Sequence, residues 1–581
     1  MAMNPARILP IIGWLAAYRR ADLPGDLMAG VITAIMIVPQ AMAYALLAGM
    51  PPQAGLYASI APLLAYACFG TSRTLAVGPV AIISLLTAAS LAPVAASGSD
   101  AYQAAALVLA LEVGAISIGL AVIRAGHLVN FISHPVISGF TSAAAIVIGF
   151  SNMKDILGIS VPRADSIVDL LASLGAGIGG TNWVTLAIGA GGIGFLLLLR
   201  GPLTRRAKRL GRWRMAAVTL LRAGPLLLVA LSTLAVFALD LDTAAGVAVV
   251  GAIPTGLPPL TIPGFDEELW LALLPSAAMI ALIGFLESVA VAKALAAKRR
   301  QKIEANNELA GLGAANIAAA FTGGFPVTGG FGRSNVNFDA GAATQLSAVV
   351  TAGLVALTVI LLPPLFRPLP PAALAAIIVV SVLQLIDIAA FRRAWRYNRA
   401  DAAALLVTFA GVLLVNVETG ILIGIAASLG LLMWRTAKPH YAVVGRVGAT
   451  EHFRNVKRHA VRTDPRILAI RIDESLFFAN ARFLETTILA EVAERPKLAH
   501  VVLICSAVNA IDSSALESLE TLIDELRDAG VTFHLAEVKG PVMDRLQRTD
   551  LLERMAPGQV FLSTHDAMTA LEEPRPIAVA G

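Results

Sequence analysis

Residues 323–341 read GGFPVTGGFGRSNVNFDAG, with six glycines, one proline, one arginine and two asparagines in nineteen positions. On either side the chain runs for long stretches in Ala, Leu, Val and Ile. GGFPVTGG is too glycine-rich for a stable helix and gives an extended approach; GRSNVNF then starts a helix with Arg333 in its first turn. A charge set among apolar residues costs roughly 2.5–3.5 kcal/mol even on insertion scales and ordinarily marks function. The structural alternative is an arginine that snorkels to an interface or binds a carbonyl.

The surroundings decide what kind of protein this is. Of 581 residues, 57% are hydrophobic and 14% charged, and the mean hydropathy of +0.76 places the chain in a membrane. Between Leu27 and Ile123 the only charged residues are Arg73, Asp100 and Glu112, and a helix needs about 20 apolar residues to cross a bilayer. Apolar segments fall near 27–47, 54–70, 78–94, 102–123, 128–150, 181–199, 218–239, 270–292, 305–321, 332–343, 345–362, 371–385, 402–416 and 419–434. That makes fourteen, several too short to span. The basic loops 200–214, 297–302, 391–399 and 435–438 all follow even-numbered segments, on the side of Arg19 and Arg20. The positive-inside rule therefore puts both termini in the cytoplasm. The first twenty residues lack a small-residue cleavage pattern and read as a surface-lying helix rather than a signal peptide.

A second stretch has the form of the first. In TSRTLAVGPVAIISLL (71–86) a short extended run leads to Gly78-Pro79, which is expected to open a helix, because proline at a helix start loses no helical hydrogen bond. Free N–H groups at such an end, together with the helix dipole, attract an anion. Irregular backbone at membrane depth is tolerated only where protein or a cavity surrounds it. Gly78 lies in segment three of the first seven and Arg333 in the third of the second seven, the placement of discontinuous helices in inverted-repeat transporters.

After about residue 438 polar residues become frequent. Apolar runs ILAIRI (467–472), VVLIC (501–505) and VTFHLAEV (531–538) alternate with helical stretches at 514–530 and 541–549. This order indicates a small α/β domain with buried strands. Cys68 and Cys505 are the only cysteines, so a disulfide framework is excluded as an organising feature. Metal clusters, nucleophile–base arrangements, phosphate loops and basic aromatic patches for nucleic acid are not found, and no cofactor or enzyme activity is expected.

Several blocks carry a resemblance. PQAMAYALLAGMPPQAGLYASIAPLLAYACFGTSRTLAVGPVA (39–81) resembles the signature of the SulP family of sulfate permeases and related anion transporters. GFLESVAVAKALA (284–296), FPVTGGFGRSNVNFDAGAATQLSAVV (325–350) and VETGILIGIAASL (417–429) look like further family blocks. FRNVKRH (453–459), LAIRIDESLFFANARFLE (468–485) and AVNAIDSSALESLETL (507–522) resemble the STAS domain those transporters carry. The resemblance implies an α-helical polytopic membrane protein of 14 segments in two inverted repeats of seven, divided into core and gate domains, plus a small cytoplasmic α/β STAS domain. The expected divisions are an N-terminal segment at 1–25, a transport domain at 26–437, the STAS domain at 438–573 and a tail at 574–581.

It also implies a site between the starts of segments three and ten. Substrate-binding candidates are Ala76, Val77, Gly78, Gly332, Arg333 and Ser334, with Gln40 and Tyr44 lining the pocket. Many relatives have serine where this chain has Gly332, so one hydroxyl donor is missing here. Glu287 is the only charge from Leu271 to Ala292. Burial favours the neutral form of a carboxyl, which suits proton coupling; the structural alternative is an ion pair with Arg333 or Lys293. Gln40 also reads as an interhelical hydrogen bond, and Glu112 as a structural polar contact. Ser513 sits where related STAS regulatory proteins carry a phosphorylatable serine, while Ser514 to Glu517 reads as a capping box.

The expectation is a secondary active transporter that takes up sulfate, by proton symport and alternating access, in a bacterial inner membrane, as a homodimer by family likeness. Bicarbonate or dicarboxylate transport, a passive anion channel and a membrane-tethered signalling protein are the alternatives.

Overall fold

The computed structural model describes residues 9–130, 133–161, 166–203, 206, 221 and 223–572. Most of the basic loop at 200–214 and the tail at 574–581 lie outside them. The chain separates into two compact units, residues 1–428 and 429–581.

Each of the fourteen apolar segments contains a helix: α1 (Leu23–Leu47), α2 (Ala61–Phe69), α3 (Ala81–Leu91), α4 (Asp100–Val122), α5 (His134–Ser151), α6 (Trp183–Leu198) and α7 (Gly224–Ala238) in the first seven. The second seven are α8 (Glu267–Lys298), α9 (Ala305–Phe321), α10 (Phe331–Asp339), α11 (Leu346–Leu361), α12 (Pro371–Val382), α13 (Arg399–Leu414) and α14 (Val417–Ala437). Among the described residues six helices are long and apolar enough to cross a bilayer; α3 and α10 are half-helices. Segment two is broken as well, a short helix Pro52–Tyr57 preceding α2.

The packing shows the two repeats. α11 packs on α1 and α2 as α4 packs on α8 and α9, and α10 meets α1 as α3 meets α8. Adding or subtracting seven converts each pair into the other. Without a hydrophobic drive between helices in lipid, close approach depends on small residues. At the α4–α9 crossing a Cβ on Gly114 would lie 2.9 Å from the Gly313 carbonyl oxygen, and one on Gly313 would lie 2.9 Å from that of Gly114. α13 and α14 approach in the same way through Gly411 and Gly420.

The approaches to the half-helices are the extended pairs β1 (Val77–Gly78) and β2 (Thr328–Gly329), which join antiparallel with Val77 opposite Gly329. Their backbone is buried and still satisfied. Asn316 on α9 accepts from the Val327 N–H at 2.8 Å and donates to its carbonyl at 3.0 Å, while the Gly329 N–H donates to Ser288 Oγ on α8 at 2.8 Å. The turns beside the half-helices are pinned by buried carboxylates from the opposite repeat. Asp26 accepts from the N–H groups of Ala343 and Thr344 at 2.7 and 2.9 Å. Glu308 accepts from those of Thr71 and Ser72 at 2.8 and 3.1 Å and from the Tyr66 hydroxyl at 2.5 Å. Such charge-assisted bonds hold a loop whose own sequence forms no regular element.

The second unit contains a six-stranded sheet, β3 (Tyr441–Arg446), β4 (Phe453–Asn455), β5 (Ile467–Ile472), β6 (His500–Ile504), β7 (Thr532–Ala536) and β8 (Val560–Phe561), in the order β4-β3-β5-β6-β7-β8. β5 to β8 are parallel and β3 antiparallel. The apolar runs serve both faces: Leu468, Ile470, Val501 and Leu503 pack in one cluster, Ile467, Ala469, Val502 and Ile504 in another. The helices of this unit include α15 (Ala481–Ala493) and α16 (Ser513–Asp528).

Two local expectations are corrected. Pro79 does not open α3: Val80 is the N-cap, extended at φ −134° and ψ 153°, and the helix starts at Ala81. The β1 pairing keeps the chain extended past Gly78, and the Pro79 carbonyl is engaged by Arg333 at 2.6 Å. The cap of α16 is Asp512 rather than Ser514. Its Oδ1 accepts from the Ala515 N–H at 2.8 Å and its Oδ2 from the Phe478 N–H at 2.9 Å, so one carboxylate ties down both the helix and the loop after β5.

Candidate functional site

The half-helices α3 and α10 begin side by side, held by the β1–β2 pair, and neither start has a side-chain cap. The first-turn N–H groups of a helix have no intrahelical acceptor. Here the first turns face a cavity of about 740 Å³, lined by Val80, Ala81 and Ile82 from one half and by Gly330, Phe331, Gly332 and Arg333 from the other. Gln40 and Tyr44 of α1 and Glu287 of α8 complete its polar wall, and Val380 to Leu385 of α12 and its extension close the far side. Two positive dipole ends and a guanidinium thus converge on one space, an arrangement suited to an anion.

Arg333 is 3% exposed. Its Nη1 donates to the Pro79 carbonyl at 2.6 Å, whereas its Nε and Nη2 have no hydrogen-bond partner. It does not snorkel: Nη1 binds a carbonyl, as the structural alternative had it, and that carbonyl belongs to the opposite repeat. Glu287 lines the same cavity with its Oε2 unpartnered, and Lys293 is exposed. A Cβ on Gly332 would meet nothing within 4 Å, so a serine side chain fits there without displacement.

The remaining candidates stand behind the wall. Val77 and Gly78 form β1. The Ala76 N–H donates to Ser334 Oγ at 3.0 Å, and that hydroxyl donates to the Gly330 carbonyl at 2.7 Å. These groups lock the two half-helix starts together. The α12 wall has no sequence signal beyond Ser381 and Gln384 in an apolar run. Glu112 is buried with Oε2 unpartnered and is not among the cavity residues. Ser513 is exposed at the first position of α16, beside a groove lined by Asp512, Leu516 and Arg545. Among the described residues no group of His, Cys, Asp and Glu is placed to hold a metal.

Two repeats of seven whose half-helices start beside one cavity have the architecture of a membrane transporter. The sequence model of the sulfate permease family matches residues 23–408, and that of the STAS domain matches residues 458–567. The chain is 37% identical to "Probable sulfate transporter 4.2" of Arabidopsis thaliana over 97% of its length and 83% of the relative's. It is 35% identical to a probable sulfate transporter of Mycobacterium tuberculosis, over 98% of this chain and 99% of that one. The fold matches the structure of the murine Slc26a9 anion transporter in the inward-facing state with a TM-score of 0.90, at 23% identity and over 98% and 95% of the two chains. The protein belongs to the sulfate permease family and carries a C-terminal STAS domain.

Proposed function

We propose that this protein takes up sulfate by proton symport, binding the anion between the starts of α3 and α10. Arg333, the first-turn N–H groups of both half-helices, Gln40 and Tyr44 hold the anion, with Ala76, Val77, Gly78 and Ser334 framing it and Gly332 leaving space beside it. Glu287 takes up the coupled proton in the same cavity. The core then moves past the gate, exposing the cavity to each side in turn. What carries the reading is the anchored Arg333, buried and with two nitrogens unpartnered at the meeting of two uncapped helix starts. Multiple N–H donors replace part of an oxyanion's hydration, and the relatives named above as sulfate transporters favour that anion.

The same reading places the transport domain at 26–437 and the STAS domain at 438–573, both termini in the cytoplasm of a bacterium, and two chains in a homodimer. Ser513 is a modification site within it. The test is uptake of labelled sulfate into proteoliposomes with and without an inward proton gradient, in competition with bicarbonate, chloride, oxalate and succinate. Uptake should rise with the gradient and yield to sulfate analogues first. Gradient-independent uptake would eliminate the coupling, and preference for bicarbonate would eliminate the substrate.

A further inference from the structure

The cavity reaches toward one end of the bundle, since Leu199, just after α6, and Leu221, shortly before α7, line it together with Leu383, Gln384 and Leu385 after α12. From Leu385 the chain passes through the short helix Ile388–Tyr397 into α13, which runs 16 residues, about 24 Å, to the opposite end. There α14 turns back, and Glu418 stands in its first turn.

At that far end Glu418 joins elements of different parts. Its Oε1 accepts from Ser90 Oγ of α3 at 2.9 Å and from Ser276 Oγ of α8 at 3.1 Å. Ser90 is nine residues along α3 from the cavity start, and Ser276 eleven residues before Glu287 on α8, so the contact lies roughly 15 Å from the anion site. α3 and α8 are the helices that carry the site, and they pack with α4. α14 packs on α13, through Gly411 and Gly420 and through Gly424 against Thr408, and α13 packs on α5; Val417 and Ile421 of α14 also share a buried cluster with Leu86 of α3 and Leu273 of α8. The clasp therefore ties the helices that hold the anion to helices that do not.

The bond is also made to be broken. Ser90 Oγ lies 2.8 Å from the Leu86 carbonyl in its own helix as well as 2.9 Å from Glu418. A hydroxyl has one hydrogen for these two acceptors. When α14 withdraws, Ser90 keeps a partner by bonding Leu86, and no serine hydroxyl is stranded on that helix.

We propose that the Ser90–Glu418–Ser276 clasp is the latch that keeps the far end shut while the cavity opens at the other, and that it parts in every transport cycle. This rests on the alternating exposure proposed above. The test uses the full chain in proteoliposomes, with Cys68→Ser and Cys505→Ser as background and Phe331→Cys as a reporter in the cavity wall. A membrane-impermeant maleimide is added to either face. Glu418→Ala, and separately the pair Ser90→Ala with Ser276→Ala, should raise labelling from the far face about tenfold or more relative to the parent. Glu418→Gln, whose amide oxygen accepts the same two bonds, should label as the parent does.

If the serine pair folds and its ratio of labelling between faces equals the parent's, the latch is overturned, whether or not Glu418→Ala reaches the membrane. Equal shifts in the Gln and Ala variants overturn it too. Failure of the anion reading would show separately, as parent labelling that sulfate does not protect.

Discussion

The proposed anion site turns on one side chain, Arg333. Anchoring one nitrogen on the Pro79 carbonyl fixes the guanidinium in place before any ligand arrives, which lowers the ordering cost of binding. Arg333→Ala should weaken sulfate binding about 10- to 100-fold, the range for a hydrogen bond to a charged group, with little change in the amount of folded protein in detergent extracts. Equal losses of binding and of folded protein would mean a structural role. That Arg333 is a candidate was legible in the sequence, because a charge in an otherwise apolar region has few cheap explanations. That it bridges the repeats was not, since Pro79 is 254 positions away and nothing local points to it.

At the scale of elements, glycine sets how closely helices approach. A Cβ on Gly114 would lie 2.7 Å from Ile317 Cγ1 and 2.9 Å from the Ile317 nitrogen on α9, whereas Gly119 on the same helix has nothing within 4 Å. Gly114→Ala should therefore force α4 from α9 and cost about 1–3 kcal/mol. Gly119→Ala should be neutral or stabilising by up to about 1 kcal/mol, from helix propensity. Thermal unfolding of the two variants in the same detergent checks the contrast, and equal destabilisation would contradict it. Both glycines look alike in the sequence. The helix start at Ala81 escapes a local reading for the same kind of reason, because the other repeat pairs with Val77 and Gly78 and binds the Pro79 carbonyl just before it. The cap at Asp512 escapes it because the carboxylate also serves Phe478, a residue 34 positions earlier.

At the scale of the molecule, the second unit has a pH response of its own. His534 on β7 is buried, its Nδ1 accepting from the Gln559 N–H at 3.1 Å and its Nε2 lying 3.2 Å from His500 Nδ1. Burial, with the neighbouring His500 adding to it, pushes His534 down to about 4. An unfolded histidine titrates near 6.5, so between about 6.5 and 4 the unfolded chain binds the extra proton. Stability conferred by the neutral ring is present above that window and is lost as pH falls through it. The melting temperature of this unit in the full-length protein should fall from pH 6.5 to 4, and His534→Gln should flatten the fall; an unchanged slope would exclude His534 as its source.

Hydropathy and its spacing determine the membrane helices, the loop charges and the change to an alternating α/β pattern near residue 438, because each depends on neighbours along the chain. Dense glycine, as at 323–330, likewise marks where a helix breaks, whereas single prolines do not: α1 runs through Pro39 and α8 through Pro275. Pairing of Val77 with Gly329, Asp26 under the turn at Ala343, and Glu418 between Ser90 and Ser276 join residues more than 140 positions apart. Only the folded bundle selects those partners, since a buried polar group takes whichever complement packing brings within reach.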